Sequence, residues 1–296
     1  MTLSEAARTQ TNPVHPINTD GLAASDNYLA LRRWIAYRSA TISQTFRQVF
    51  GDQAMMSQIR PLLASQVGNG NAFLATGLIW AQSYYKNTPD LWYGGGGAAY
   101  YDSTTTPSDT QAATMQAYFD GLPSPQFAKN TATDALWTKG YGLKTIAYEG
   151  GPGPGGSSLG PITGSTQLSA TYNSDPRMKD RMIAAHQIWQ ANGGDLLTYF
   201  TYTGGAPWAF NNLLAFSTTA ETDTLKMNAL EAIRTMPTVT PTIGIAAPGS
   251  IDLKSNADSL RWSLPNDGQW KYSNSAYRMA SDQVGKPYVM LIPVSS

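Results

Sequence analysis

The stretch GLKTIAYEGG, residues 142–151, is an apolar segment that ends in a glutamate and two glycines. Its apolar residues do not alternate with polar ones, which is typical of a strand covered on both faces of a parallel sheet. Three other segments have the same character: residues 59–64, 91–97 and 195–205. Because helical patterns separate these segments, the sequence predicts an α/β fold built on a parallel sheet.

The predicted helix before the first strand has the clearest pattern. Ser25 and Asp26 offer an N-cap, and Gly51 offers a stop. The apolar residues between them recur at helical spacing: Tyr28, Leu31, Ile35, Ile42, Phe46 and Val49. This pattern predicts an amphipathic helix. Further helices are predicted at residues 3–9, 71–85, 109–119, 133–139, 175–189 and 222–236. Four strands between such helices fit half of a (β/α)8 barrel or a small doubly wound sheet.

The pattern changes at TMPTVTPT, residues 235–242, which has the composition of a linker. Beyond it, apolar residues alternate with polar ones, as in Leu260, Trp262 and Leu264. Alternation of this kind predicts antiparallel strands with one buried face. The chain therefore divides into an α/β domain over residues 1–236 and a small β-sandwich-like accessory module over residues 237–296, which we expect to pack on the larger domain.

Composition excludes several classes of function. The 296 residues contain 20 Lys and Arg and 20 Asp and Glu, so the net charge is zero, and neither nucleic acid nor an anionic membrane surface is an expected partner. There are no cysteines and two histidines, so no metal or other cofactor is expected. The chain has no apolar run of 18 residues and begins without the features of a signal peptide.

Glu149 is the first candidate for chemistry, because it emerges from an apolar strand while the three other glutamates lie in predicted helices or polar tails. The carboxyl ends of parallel strands form the active-site edge of α/β folds. A structural acid that pairs with an arginine is the alternative interpretation of Glu149. The sequence therefore makes this carboxylate a catalytic candidate and leaves the structural role open.

Polar and aromatic residues follow the other predicted strands as well. Together these strand ends would form an aromatic, amide-rich cleft around one carboxylate, which suits a neutral sugar. Taken singly, each aromatic residue could equally pack in the core. The residues are Ser65, Gln66 and Asn69 after the first strand, Tyr100 and Tyr101 after the second, and Tyr202, Trp208 and Asn211 after the last.

Two glycine motifs and the two histidines are weaker signals. Residues 94–99 fit GxGxxA, but the sequence that follows does not start a helix, so no phosphate site is expected. Residues 156–160 fit GxSxG without the strand and helix of a nucleophile elbow. His186 lies on the apolar face of its helix and is expected to be a hydrogen-bonded core residue. His15 is expected to be a solvated loop residue.

Several stretches together resemble the second half, strands 5–8, of clan-A-type glycoside hydrolase (β/α)8 barrels. They are SQIRPLLASQ, LWYGGGGAAYY, LKTIAYEGG and LLTYFTYTGG, and the strongest are AYEGG and RWIAYRSATISQTFRQVFG. Large bacterial proteins described as containing a cellulose-binding domain show a similar pattern, often followed by a β accessory module. The resemblance covers about residues 25–235.

The resemblance implies retaining hydrolysis of a β-linked polysaccharide. Strand 7 of such barrels ends in the nucleophile, here Glu149, and strand 6 supplies a tyrosine that hydrogen-bonds it, here Tyr100 or Tyr101. An aromatic residue after strand 8 forms the floor of the subsite beside the scissile bond. Trp208 is the first candidate for that residue, and Tyr202 is the second. An extracellular location is expected from the resemblance alone.

One departure from the family pattern is large, because strands 1–4 and the Asn-Glu pair that supplies the acid/base have no counterpart. A retaining glycosidase needs two carboxyl groups about 5–5.5 Å apart, and Asp102 is only a weak stand-in for the second. We therefore expect this chain alone to be catalytically silent and to associate with a missing barrel half or with itself. The alternatives are a non-catalytic carbohydrate-binding or structural protein and a self-contained α/β domain of unrelated function.

Overall fold

A computed structural model describes residues 9–66, 68–105, 108–153, 171–201 and 224–241 of the chain. Helices and parallel strands alternate in it, so the predicted α/β class is confirmed. The helices are α1 (Asn27–Phe50), α2 (Phe73–Tyr85), α3 (Ala112–Asp120), α4 (Pro125–Gly140), α5 (Arg177–Ala191) and α6 (Leu225–Thr235). The strands are β1 (Leu62–Ala64), β2 (Gly94–Gly96), β3 (Ala99–Tyr101), β4 (Lys144–Ala147), β5 (Gly150–Pro152) and β6 (Leu196–Leu197).

The main sheet has four parallel strands in the order β1-β2-β4-β6. In register, Leu63 lies beside Gly95, Gly95 beside Thr145, and Ile146 beside Leu196. This order follows the chain, whereas a doubly wound sheet has a point at which the strand order reverses. The described strands do not close into a barrel. The parallel sheet is thus established, and the half-barrel remains a prediction.

The second sheet is a continuation of the first beyond a break in two neighbouring strands. β3 follows β2 after residues 97–98, and β5 follows β4 after residues 148–149. Beyond the breaks β3 and β5 pair in parallel, with Tyr100 beside Gly151. The Ala99 N–H donates to the Glu149 carbonyl at 2.8 Å, so the two breaks lie side by side. In both cases the observed strand is therefore shorter than the predicted apolar segment, because the break interrupts it.

The glycines of β2 allow the backbones of neighbouring strands to approach closely. A Cβ atom on Gly94 would lie 2.7 Å from the Ile146 Cδ1, and one on Gly96 would lie 2.4 Å from the Ile146 carbonyl oxygen. The side chain of Ile146 occupies the space that a larger residue in β2 would fill. The glycines at the end of the predicted segment 91–97 thus form the observed strand β2.

The described helices that contact the main sheet lie on one of its faces. Leu63 contacts α2 next to Gly77, and Thr145 is hydrogen-bonded to Thr138 of α4 at 2.8 Å. One buried cluster lies under α1 and α2, and a second lies around α5, where Ala147 and Leu197 pack. Right-handed connections between strands in chain order place their helices on one face. On the opposite face of the sheet Leu196 is 53% exposed.

α1 begins and ends as the sequence predicts, but it buries a different face. The Asp26 carboxylate accepts the amides of Tyr28 and Leu29, both at 2.9 Å, and Gly51 ends the helix at φ +79°. The predicted apolar stripe is partly in solvent, where Val49 is 69% exposed. The buried residues of α1 are Ala30, Arg33, Ala36, Ala40 and Ser43. These residues are mostly small, so α1 and α2 approach closely. The stability gained from this close contact exceeds what burial of the larger apolar side chains would contribute.

The hydroxyl pair between Thr138 and Thr145 gives a prediction about stability. Thr138→Val leaves the buried Thr145 hydroxyl without this partner, which should lower the free energy of unfolding by about 2 kcal/mol. Adding Thr145→Val should recover part of that loss, because both polar groups are then gone. Chemical denaturation of the two single variants and the double variant tests this. A double variant destabilised by the sum of the single effects would contradict it.

Some predicted elements lie outside the described residues. These are most of the short helix at 3–9, the end of the last strand beyond residue 201, and the β module beyond residue 241. In the described ranges, none of the helices combines the length and the apolar character that crossing a membrane requires.

Candidate functional site

Glu149 lies at the carboxyl end of the main sheet, in the break between β4 and β5. The sequence predicts this position, since the apolar run before Glu149 forms β4 and the two glycines after it begin β5. A continuous strand would carry Glu149 within regular pairing. The break instead leaves its side chain half-buried beside the first residues of β3.

The Tyr100 phenol of β3 lies beside the Glu149 carboxylate, close enough for a hydrogen bond to contribute to its pKa. Burial, the charge of Glu149, the neighbouring Tyr148 and this hydrogen bond raise the pKa of Tyr100 to about 12. The phenol is therefore protonated at neutral pH, so it donates and the carboxylate accepts. Of the two tyrosines that the sequence offers for this contact, the structure brings Tyr100 to Glu149.

Tyr101 lies on the other side of the same strand. It is 1% exposed and packs edge-on against Phe127, with ring centroids 5.1 Å apart. Burial and the adjacent Tyr199 raise the pKa of Tyr101 well above its usual value. Successive side chains of a strand point to opposite faces, so the pairing of β3 that directs Tyr100 to Glu149 directs Tyr101 into the core. The prediction that placed both tyrosines at the site is corrected in this respect.

Tyr148 is a site residue that the sequence analysis missed. Its hydroxyl donates to the Ser65 carbonyl at 3.1 Å, which joins the end of β4 to the end of β1. The Ala98 amide lies beside the same hydroxyl. Burial and the Glu149 charge raise the pKa of Tyr148. A tyrosine directly before a strand-end glutamate is the signal that could have identified it.

Gln66 and Asn69 lie together in the loop after β1. Both are exposed, and the Asn69 Nδ2 lies 3.4 Å from the Gln66 Oε1. The Tyr148 hydroxyl reaches the preceding residue, Ser65, so this amide pair is on the Glu149 edge of the sheet. The structure thus brings together three of the four predicted strand ends.

Asp134 of α4 is a second side chain that the sequence analysis missed. It is 8% exposed, and its Oδ2 accepts the Gly97 amide at 2.9 Å. Burial raises the pKa of Asp134 to about 7, although the Gly97 hydrogen bond acts in the opposite direction. The available signal was helical spacing, since the buried face of α4 includes Phe127, Thr131 and Thr138.

Asp102, the sequence-based stand-in for a second carboxylate, lies beyond the end of β3 and faces another way. A Cβ atom on Gly153 would lie 2.8 Å from the Asp102 Oδ1, and the Asp102 charge acts on Tyr118. Burial raises the pKa of Asp102 to about 7. The neighbours of Asp102 belong to the core on the Tyr101 side of β3. The structure therefore does not place Asp102 on the side of β3 where Tyr100 lies.

Phe200 is an aromatic residue at the end of β6 that the sequence analysis did not select. Its amide donates to the Gly150 carbonyl at 2.8 Å, and its ring is 41% exposed. The main chain of Phe200 therefore lies one strand away from Glu149. The predicted aromatic residues Tyr202 and Trp208, and also Asn211, lie outside the described residues.

The two histidines lie apart from Glu149. The His186 Nδ1 is 3.1 Å from the Tyr199 hydroxyl, which confirms the predicted hydrogen-bonded histidine, and burial lowers its pKa. His15 is more ordered than predicted, because its Nδ1 accepts the Ile17 amide at 3.4 Å and its ring packs on Trp34 and Tyr37. Burial lowers the pKa of His15.

The two glycine motifs and the acidic and histidine side chains do not form further sites among the described residues. After Gly94–Gly96 the chain continues into β3, so a phosphate-binding helix does not follow the GxGxxA match. The GxSxG match at residues 156–160 lies outside the described residues. Within the part of the chain that the structure describes, no three His, Asp or Glu side chains group to hold a metal ion.

The site therefore consists of a half-buried carboxylate held by a phenol, with amides and exposed aromatic rings on the neighbouring strand ends. Such a carboxylate can act as a nucleophile, a base or a hydrogen-bond acceptor for a hydroxyl. Comparison of the chain with protein-family models, curated proteins and solved structures finds no match.

Proposed function

We propose that the chain carries the nucleophile side of a retaining glycoside hydrolase that acts on a neutral, β-linked polysaccharide. The observation that carries the proposal is the pair formed by Glu149 and Tyr100 at the carboxyl edge of a parallel sheet. In the proposed reaction Glu149 attacks the anomeric carbon of the sugar, and the bond to the leaving oxygen breaks. The product of this step is a glycosyl ester on Glu149, which water then hydrolyses.

Tyr100 would orient the nucleophile in this proposal. Its high pKa keeps the phenol protonated, so it donates to one carboxylate oxygen and leaves the other for the sugar. Hydrogen bonds to an ionised group contribute about 1.5–3 kcal/mol. Loss of the phenol should therefore slow attack by about 10- to 100-fold.

A neutral carbohydrate is supported by the chemistry around Glu149. Gln66 and Asn69 present amides that can bind hydroxyl groups, and Tyr148 and Phe200 present exposed aromatic rings on which the apolar face of a sugar can stack. Apolar surfaces with a few placed polar groups are typical of small-molecule sites. The zero net charge of the chain agrees with an uncharged polymer.

The strand order supports the further proposal that the sheet corresponds to strands 5–8 of a (β/α)8 barrel. Four parallel strands follow the chain order, and the described helices contact one face. β1 and β6 are the outer strands of this sheet. Their free edges would then be where the rest of the barrel, or a second copy of the chain, pairs.

An activated substrate tests the nucleophile without a general acid. The full chain is incubated with dinitrophenyl 2-deoxy-2-fluoro-β-glycosides of glucose, xylose and mannose. We expect one of these compounds to add a single sugar to the chain. Intact mass spectrometry detects this adduct, and peptide mapping should place it on Glu149. Unactivated polysaccharide should not be hydrolysed, because its leaving oxygen must be protonated and Asp134 is buried against Gly97.

Three variants complete the experiment. Glu149→Gln should form no adduct, since an amide cannot form the glycosyl ester, whereas Glu231→Gln, at an exposed position on α6, should be labelled as the wild type is. Tyr100→Phe should be labelled more slowly. Labelling that survives in Glu149→Gln would disprove the assignment of the nucleophile.

The second candidate is a carbohydrate-binding protein without chemistry, favoured by the amides and exposed rings around the carboxylate. It predicts that the chain is retarded in a native gel containing β-glucan, xylan or mannan. This retardation should persist in Glu149→Ala, and no fluoroglycoside should label the wild type.

A further inference from the structure

The strand break between β2 and β3 is held by a carboxyl group from outside the sheet. The Asp134 Oδ2 accepts the Gly97 amide at 2.9 Å, and Gly97 is the first residue of the break. On its other side the carboxyl group is packed so tightly that a Cβ atom on Gly70 would lie 2.1 Å from Oδ1. The position of Asp134 is thus fixed from both sides.

The next two amides along this break hold the functional residues. The Ala98 amide lies beside the Tyr148 hydroxyl, and the Ala99 amide donates to the Glu149 carbonyl at 2.8 Å. Three consecutive residues therefore place their amides against Asp134, Tyr148 and Glu149 in turn. A change in the first hydrogen bond moves the backbone that carries the other two.

Asp134 is also placed where its charge is not neutralised. None of the described residues forms an ion pair with it. The titratable side chains that face it are Tyr148, from the break after β4, and Tyr100, which lines the same small cavity. The other elements packed around it contribute uncharged groups, namely Gly70, Gly97 and Trp189. A buried carboxyl group without a cation is characteristic of functional sites.

We propose that Asp134 is a positioning residue, whose ionised carboxylate sets the backbone at 97–99 and thereby the placement of Tyr148 and Glu149. Burial raises the pKa of Asp134 to about 7, so its ionisation falls in the physiological range. When the carboxylate gains a proton, its hydrogen bond to Gly97 weakens, since bonds to charged acceptors are shorter and stronger. The consequence for reactivity rests on the proposed function, whereas the consequence for the backbone does not.

Amide NMR tests the backbone part on the intact chain. Between pH 5 and 8 the Gly97 amide proton should shift with a midpoint near pH 7, and the amides of Ala98 and Ala99 should follow with the same midpoint. In Asp134→Asn, which retains an acceptor of the same shape but cannot ionise, all three shifts should be flat. Asp102→Asn is the matched control, because burial raises the pKa of Asp102 to about 7 as well but Asp102 faces Gly153, and this variant should keep the titration.

Labelling by the activated fluoroglycoside tests the reactivity part. The wild-type rate should show an inflection at the midpoint of the Gly97 titration, which Asp134→Asn removes and Asp102→Asn keeps. A Gly97 titration that leaves Ala98 and Ala99 unmoved, or that persists in Asp134→Asn, would overturn the proposal. If no fluoroglycoside labels any variant, the proposed function fails, and the three amide titrations still decide the role of Asp134.

Discussion

Replacing Gly96 with alanine is expected to destabilise the fold by about 3–5 kcal/mol, a large fraction of the roughly 5–15 kcal/mol by which a domain is ordinarily stable. Two effects add. Gly96 has a φ of +151°, which an L-residue rarely adopts, and its Cβ would lie 2.4 Å from the Ile146 carbonyl oxygen. The obstacle is backbone of the neighbouring strand, so it cannot move aside as a side chain could.

Gly51 provides the control that separates these two effects. It also has a positive φ, +79°, but a Cβ there meets nothing within 4 Å. Gly51→Ala should therefore cost about 1–3 kcal/mol from backbone strain alone, because φ +79° with ψ 162° is a conformation that essentially only glycine adopts. Urea denaturation of both variants, followed by circular dichroism, measures the difference. Equal losses in the two variants would show that the close approach of β2 to β4 contributes nothing.

Asp134→Asn is expected to stabilise the protein increasingly as the pH rises. Burial raises the pKa of Asp134 to about 7 in the folded chain, from 3.8 as its ordinary value. Between these values the unfolded chain holds fewer protons than the folded one, so wild-type stability falls as the pH rises from about 4 to 7 and is level above that. The variant lacks this loss, and its advantage should approach about 4 kcal/mol at pH 8, since each unit of pKa shift corresponds to about 1.4 kcal/mol.

Denaturant midpoints and slopes of both proteins from pH 4 to pH 8 measure this advantage. Asp52→Asn, at an exposed position after α1, controls for the removal of one negative charge. An advantage that is constant with pH would mean that the Asp134 carboxyl group titrates alike in the folded and unfolded chains. A stabilising change that abolishes the labelling inflection would show that ionisation of Asp134 is retained at the expense of stability.

The local features of the chain could be read from its sequence, because they depend on neighbouring residues. The N-cap at Asp26 and the stop at Gly51 are set by hydrogen bonds within a few residues. The unalternating strands and the helices between them predicted a parallel sheet, and Glu149 was placed at its carboxyl edge for the same reason. These patterns are local, so no tertiary contact was needed to find them.

Other features depended on packing between segments far apart in the sequence. Small residues let α1 approach α2, which put Val49 and part of the apolar stripe toward solvent. Strand pairing beyond the breaks decided that Tyr100, and not Tyr101, meets Glu149.

The sequence by itself thus determined which segments become helices and strands and which glutamate ends a strand. Only the tertiary structure brought Asp134 from α4 to Gly97 and Tyr148 to Ser65, across 37 and 83 residues of chain. Helix and strand periodicity say which face a residue occupies. The close approach of the β2 and β4 backbones, which the glycines of β2 permit, decides which residues of other segments contact that face.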